Sequence, residues 1–126
     1  MMMKLPFLQI SRRRNFERVE LCGKTSYITI SQQELDTFGY EKGDTEGIVN
    51  YGLTIKGINF TAIFIEHSDE NIIKISFRSQ GSFDVNAFAR EHFCGGGHIN
   101  AAGGKSYDTL KATTDKFEKL ISKITI

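Results

Sequence analysis

The chain has 126 residues, which is enough for one domain with a single core and too few for a complete two-domain enzyme. Apolar residues make up 40% of the chain and charged residues 25%, which excludes an intrinsically disordered or collagen-like protein. Sixteen Lys and Arg residues against fifteen Asp and Glu residues give a net charge of +1. No overall positive field would therefore attract nucleic acid, and any anion site must be local.

The beginning of the chain is less patterned than the rest. Residues 1–17 are interpreted as an N-terminal arm or the remnant of an interdomain linker, and residues 18–126 as one domain without internal repeats. The apolar stretch at residues 5–10 precedes an arginine triplet at residues 12–14, which is the reverse of a signal peptide. Because the stretch is also too short to cross a bilayer, we predict no membrane partner.

The cysteines and histidines give no sign of a metal site. Cys22 and Cys94 are too few for a disulfide framework and lack the CxxC spacing typical of zinc sites. His67 and His92 have no partners at a metal-ligand spacing. These observations favour a reduced, cytoplasmic protein with no cofactor bound by this chain.

Patterns in the first half of the domain predict strands followed by two helices. A β-rich run at residues 25–30 stops at Ser31. Ser31 and Glu34 have the spacing of a capping box, so a helix of about two turns should begin here and end at Gly39. Asp44 is predicted to start a second helix, because a carboxylate suits the positive end of the helix dipole.

In the second half, both faces of residues 58–65 are apolar, which predicts a central strand. Residues 73–78 alternate apolar and polar side chains and should pair with that strand as an antiparallel hairpin. Helices are predicted to begin at Asp84 and near Asp108. The order β, β, α, α, β, β, α, glycine loop, β, α predicts a single α/β (α+β) domain with a mixed, partly antiparallel sheet and flanking helices.

The most unusual feature is a loop rich in glycine. Residues 93–104 contain five glycines and two alanines, and Gly95, Gly96 and Gly97 directly precede His98. Each glycine loses roughly 0.5–1 kcal/mol more on ordering than alanine would, so three in succession need a geometric reason. One reason is a tight reversal with close backbone packing. The other is an anion cradle, in which backbone N–H groups and His98 contact a phosphate.

Arg78 is a second candidate for phosphate binding. It stands near the end of a predicted strand, before the turn residues at 79–81. A guanidinium in this place can reach over a loop and hold a phosphate bidentately. The alternative is an ordinary surface arginine, and the local sequence leaves both interpretations open.

Three segments in this order resemble the C-terminal domain of DHH-family phosphoesterases, in the branch of oligoribonucleases, phosphoadenosine-phosphate phosphatases and exopolyphosphatase-related proteins. They are DTEGIVN at residues 44–50, ISFRS at residues 75–79, and GGGH with NAAG at residues 95–103. The resemblance implies a substrate-binding domain that faces a separate Asp-His-His domain with two manganese ions. It implies these substrate-binding residues: Arg78, Gly95, Gly96, Gly97 and His98. Asn100 is added as a residue that orients the loop.

The resemblance also implies binding partners, and the sequence departs from the family pattern at two points. The expected partners are short RNA or DNA or a nucleotide phosphate, together with a DHH catalytic domain. Family members commonly have four glycines, and Cys94 stands in the place of the first. The chain has no Asp-His-His motif, so we expect it to be catalytically inactive alone, with manganese in the missing domain.

Two other functions remain compatible with the sequence. A non-catalytic nucleic-acid-binding module would show salt-sensitive binding with little preference for chain ends. A structural or homodimerising domain would use the glycines only for packing and would bind no phosphate ligand.

Overall fold

Apart from one short strand within the glycine loop, strands and helices follow one another in the predicted order. A computed structural model describes residues 20–124, so the predicted arm at residues 1–17 lies outside the described residues. The strands are β1 (Glu20–Cys22), β2 (Thr25–Ile30), β3 (Phe60–His67), β4 (Ile72–Ser79), β5 (Gly96–His98) and β6 (Ala101–Ser106). The helices are α1 (Gln32–Phe38), α2 (Lys42–Gly52), α3 (Val85–His92) and α4 (Leu110–Ile121). Within residues 20–124, no helix is long and apolar enough to cross a membrane.

The capping box of α1 is confirmed. Ser31 Oγ accepts a hydrogen bond from the Glu34 N–H at 3.1 Å, and Glu34 Oε1 accepts one from the Ser31 N–H at 3.0 Å. Gly39 ends the helix with a φ of 62°. These two local signals position the helix without help from the tertiary structure, because each satisfies backbone groups at a helix end.

Helix α2 begins two residues earlier than predicted. Glu41 is its N-cap, and Asp44 is the third helical residue, whose Oδ2 accepts a hydrogen bond from the Glu41 N–H at 3.0 Å. The predicted start at Asp44 was therefore wrong. The physical reason is that the carboxylate at the third position of a capping box reaches back to the cap residue, so it lies inside the helix that it stabilises.

The strands form one mixed sheet, as the sequence predicted. Among residues 20–124 the strand order is β1-β2-β3-β4-β6-β5. Strands β2 and β3 are parallel, and the other neighbouring pairs are antiparallel. The predicted β3–β4 hairpin is confirmed, and β3 lies in the interior of the sheet. The glycine loop differs from the prediction, because three of its residues pair with β6 as the edge strand β5.

Helices cover both faces of the sheet. One core cluster lies between the sheet and helices α3 and α4, and includes Phe60, Phe77 and Phe117, which are fully buried. The second cluster lies between the sheet and helices α1 and α2, and includes Ile63 and Val49. Because successive strand residues point to opposite faces, β3 supplies apolar side chains to both clusters.

The face with α1 and α2 carries polar side chains on β4. Ile73, Ile75 and Phe77 point to the opposite core, so Lys74, Ser76 and Arg78 lie on the α1/α2 face. In β6, Ala102 belongs to the opposite core, which places Ala101, Gly103 and Lys105 on the same face as Arg78. This polar area of β4 and β6 is where the candidate site lies.

Candidate phosphate-binding site

A groove of about 270 Å³ lies over β4, β5 and β6 on the face that they share with α2. Its wall is formed by Thr45 and Glu46 of α2. The remaining lining residues are Ser76, Arg78, Gly96, Gly97, Ala101, Ala102 and Gly103. Because glycine and alanine predominate on the strand side, the floor of the groove is mainly backbone, which a ligand can approach closely.

Arg78 is held in place within the groove by its own strand and by β6. Its Nη1 donates hydrogen bonds to the Phe77 carbonyl at 2.9 Å and to the Ala102 carbonyl at 3.4 Å. Its Nη2 lies 3.8 Å from Glu46 Oε1, and the Arg78 side chain is only 18% exposed. A guanidinium has five N–H donors in a planar fork, so it keeps further donors for an anion. The ordinary surface arginine considered above does not describe this environment.

Strand register places Arg78 and His98 in one row. Arg78 of β4 pairs with Ala101 of β6, and Ala101 pairs with His98 of β5. Two strand spacings separate the Cα atoms of Arg78 and His98, a distance of about 10 Å. His98 is exposed and lies beside the groove without lining it. The two residues are 20 positions apart in the sequence, so only the pairing of β4, β6 and β5 makes them neighbours.

Hydrogen bonds and close packing within the chain constrain the glycines before His98. The Gly95 N–H donates to the Ala89 carbonyl at 3.1 Å, and the Gly97 N–H donates to Asn86 Oδ1 at 2.8 Å. Two of the three N–H groups that the sequence suggested for phosphate binding thus already have acceptors within the chain. A Cβ atom at Gly95 would lie 1.9 Å from the Gly103 carbonyl oxygen, so close backbone packing explains that glycine.

Two asparagines fix the loop from opposite sides. Asn100 Nδ2 donates to Ser79 Oγ at 2.9 Å and to the Gly81 carbonyl at 3.2 Å, which ties the β5–β6 turn to the end of β4. Asn86 Oδ1 accepts from Arg90 Nε at 3.2 Å as well as from Gly97. An orienting role was predicted for Asn100 but not for Asn86, because nothing in the sequence connects a residue of α3 with the glycine loop.

Cys94 occupies a backbone conformation that favours glycine. Its φ is +51°, whereas Gly95, Gly96 and Gly97 are not among the residues with positive φ. The left-handed region costs a non-glycine residue roughly 1–2 kcal/mol, and replacing that residue with glycine recovers only about half of this, because glycine has the greater conformational entropy in the unfolded chain.

We therefore expect Cys94→Gly to raise the free energy of unfolding by about 0.5–1 kcal/mol in urea denaturation. Cys94→Ala keeps the strained φ and should bring no gain. A Cys94→Gly chain less stable than the parent would contradict this explanation.

Within residues 20–124, no three His, Cys, Asp or Glu side chains lie close enough together to hold a metal ion. Three further residues that line the groove, Ser76, Thr45 and Glu46, were not predicted as site residues. Ser76 could have been found, because it lies two residues before Arg78 and so on the same face of the strand.

The chain is similar in sequence to a known domain family and to a known protein. The sequence model of the DHHA1 domain matches residues 25–125. A Streptococcus mutans protein described as a probable bifunctional oligoribonuclease and PAP phosphatase, NrnA, is 31% identical over 106 residues, covering 83% of this chain and 33% of that protein.

Among solved structures, an exopolyphosphatase-related protein from Bacteroides fragilis is similar with a TM-score of 0.83 and 35% identity, covering 92% of this chain and 34% of that chain. The pGpG-specific phosphodiesterase PggH from Vibrio cholerae has a TM-score of 0.65 at 9% identity, over 91% of this chain and 38% of that chain, which shows a likeness of fold alone. The chain thus spans about a third of the length of these relatives.

Proposed function

This chain belongs to the DHHA1 domain family, and we propose that it is the substrate-binding half of a metal-dependent phosphoesterase that acts on short oligonucleotides or nucleotide phosphates. The observation that carries the proposal is the Arg78 guanidinium, held by two backbone carbonyls beside a groove with a glycine and alanine floor. A phosphate is the ligand that suits a fixed guanidinium fork, because it can accept two parallel hydrogen bonds.

In this proposal, the groove binds the phosphate and the strands position it. Arg78 neutralises charge on the phosphate oxygens, and the phosphate contacts the backbone of Gly96 where that residue lines the groove. Glu46 pairs with Arg78 at 3.8 Å, and its side chain is 57% exposed, so a phosphate can replace this weak contact. His98 would donate a further hydrogen bond from the edge of the groove.

The DHH domain of the whole enzyme would hold two manganese ions, which supply an activated water. The present chain would bind the substrate and orient its phosphorus toward that water. Holding the substrate and the water in position lowers the activation free energy of the reaction. The reason is that the substrate has already lost its translational and rotational freedom when it binds. The isolated chain is accordingly expected to bind substrate without hydrolysing it.

His98→Ala should weaken the binding of a 5′-phosphorylated RNA about fivefold, which corresponds to about 1 kcal/mol for one hydrogen bond. Because His98 is exposed, the same substitution should change the free energy of unfolding by less than about 0.5 kcal/mol. His98→Gln retains a side-chain N–H donor and serves as the matched control. A loss of several kcal/mol of stability in His98→Ala would instead indicate a structural role.

The proposal is tested by NMR titration of the chain with a short RNA, with and without its 5′-phosphate, at low and moderate salt. Shifts clustered on Arg78 and residues 96–98 that require the 5′-phosphate would support a substrate-binding domain. Salt-sensitive shifts that do not depend on the chain end would favour the alternative, a non-catalytic nucleic-acid-binding module. No shifts at millimolar RNA would contradict both functions.

A further inference from the structure

A carboxylate lines the groove beside the Arg78 guanidinium. Glu46 Oε1 lies 3.8 Å from Arg78 Nη2, and both residues line the groove. A phosphate bound by Arg78 would therefore lie close to a second negative charge, and the two would repel each other. If the groove bound phosphate alone, a neutral side chain at this position would give tighter binding. The presence of Glu46 in the wall of the groove needs a separate explanation.

Glu46 is not needed to hold Arg78 in place. Two backbone carbonyls already accept hydrogen bonds from Arg78 Nη1. The contact of 3.8 Å between Glu46 and Arg78 is longer than the distance of about 2.7–2.9 Å that is typical of a charge-assisted hydrogen bond. The Glu46 side chain is also 57% exposed, and ion pairs of this kind contribute little to stability.

The helix that carries Glu46 does not explain this carboxylate either. Glu46 is the fifth residue of α2, whereas Asp44 is the acidic residue of the first turn and completes the capping box. The stabilising interaction of a carboxylate with the helix dipole falls off within the first turn. Contact with a ligand is the explanation that remains for a carboxylate at this place in the groove.

The chemistry of a carboxylate indicates which part of a ligand it would contact. An ionised carboxylate only accepts hydrogen bonds, so its partner on the ligand must carry an O–H or N–H donor. In a nucleoside phosphate the sugar joins the phosphate to the base, and ribose carries hydroxyl groups. Acidic side chains hydrogen-bond ribose hydroxyls in dinucleotide-binding folds. The 2′-hydroxyl is also the group by which proteins distinguish RNA from DNA.

The surroundings of the groove favour the sugar over the base as the partner of Glu46. A second depression, of about 460 Å³, shares Thr45 and Ser76 with the groove, and Glu46 is not among its lining residues. Leu35 and Ile65 contribute apolar side chains to that depression. An aromatic base suits this lining better than it suits the charged wall of the groove. The group next to the phosphate, and so next to Glu46, is then the sugar.

We propose that Glu46 is a specificity-determining residue that accepts a hydrogen bond from a ribose hydroxyl, so that this site selects ribonucleotides over deoxyribonucleotides. The inference rests on the proposed function, because it takes the phosphate to be bound at Arg78. It narrows the ligand class from RNA or DNA to RNA and ribonucleotides. The hydrogen bond to the sugar offsets the repulsion between Glu46 and the phosphate, and an anion without a sugar has only the repulsion.

The test is an NMR titration of the 126-residue chain with three probes, which are adenosine 5′-monophosphate, its 2′-deoxy analogue and inorganic phosphate. The ribonucleotide should bind about fivefold more tightly than the deoxyribonucleotide, as expected for one hydrogen bond. In Glu46→Ala this ratio should fall to about one, and affinity for inorganic phosphate should rise roughly two- to fivefold because the repulsion is removed. Glu46→Gln keeps a neutral acceptor, so it should show the same rise and retain part of the ratio.

The control for these variants is Asp115→Ala. Asp115 is a carboxylate of similar exposure that pairs with Lys111. It belongs to α4, which packs on the other face of the sheet. This variant should leave the affinities for all three probes unchanged, and circular dichroism confirms that each variant is folded.

The outcomes separate this inference from the proposed function. Equal affinities of the unmodified chain for the two nucleotides would overturn the inference, as would an unchanged ratio in Glu46→Ala. Equal losses for all three probes in Glu46→Ala would show that Glu46 positions Arg78, and would overturn it too. The proposed function would stand in these cases, because the probes still bind at Arg78. Absence of shifts in the unmodified chain with every probe at millimolar concentration would overturn both.

Discussion

Gly95→Ala is expected to lower the free energy of unfolding by about 3 kcal/mol or more. A Cβ atom at this position would lie 1.9 Å from the Gly103 carbonyl oxygen and 2.6 Å from the Gly104 Cα. Both are backbone atoms of β6, which pairs with β4 on its other side, so they cannot move without breaking strand pairing. Urea denaturation followed by circular dichroism measures the loss.

The control for this substitution is Gly43→Ala. Gly43 lies in α2, and a Cβ atom built there meets nothing within 4 Å. The same chemical change should therefore raise stability there by about 0.4–1 kcal/mol, because alanine has fewer unfolded conformations than glycine. A loss below about 1 kcal/mol for Gly95→Ala would contradict the packing role of that glycine.

Arg78→Ala is expected to weaken binding of the 5′-phosphorylated RNA roughly ten- to hundredfold. This range corresponds to about 1.5–3 kcal/mol for hydrogen bonds between charged partners. The fixed position of the guanidinium adds to the effect, because the two carbonyl contacts restrict the side chain before a ligand arrives. Dissociation constants from NMR titration measure the change, with circular dichroism to confirm that the variant is folded.

Two variants show whether geometry or charge is responsible. Arg78→Lys retains the positive charge but loses the planar fork, so binding should remain well below that of the unmodified chain. Lys111→Ala removes a charge on α4, which packs on the other face of the sheet, and should bind normally. If Arg78→Lys binds as tightly as the parent, a bidentate contact is excluded and Arg78 acts only as a point charge.

The sequence predicted best those features that depend on neighbouring residues. The capping box of Ser31 and Glu34 and the N-cap Asp84 are local hydrogen-bonding patterns, and both were placed correctly. The apolar faces of β3 identified it as an interior strand for a similar reason, since alternation along a strand decides which side chains are buried. The local error at Asp44 arose because a carboxylate suits both the cap position and the third helical position of a capping box.

Only some residues of the candidate groove were predicted from the sequence, namely Arg78, Gly96 and Gly97. Arg78 and His98 were identified as candidates from the sequence pattern and from the resemblance to the DHH family, and the family is confirmed by the match over residues 25–125. Their roles in binding remain predictions. The partners of these residues could not be predicted, because Glu46, Asn86 and Ala102 reach the site through the packing of α2, α3 and β6.

By itself, the sequence determined the order of the described strands and helices other than β5, together with the mixed α/β class and the family. These follow from short-range periodicity, helix caps and motifs, in which the interacting residues are close in the chain. The tertiary structure alone decided the strand order, and with it the row that joins Arg78, Ala101 and His98. The register of each strand depends on which side chains the whole sheet buries. Residues far apart in sequence therefore become neighbours only when all the strands have paired in the folded sheet.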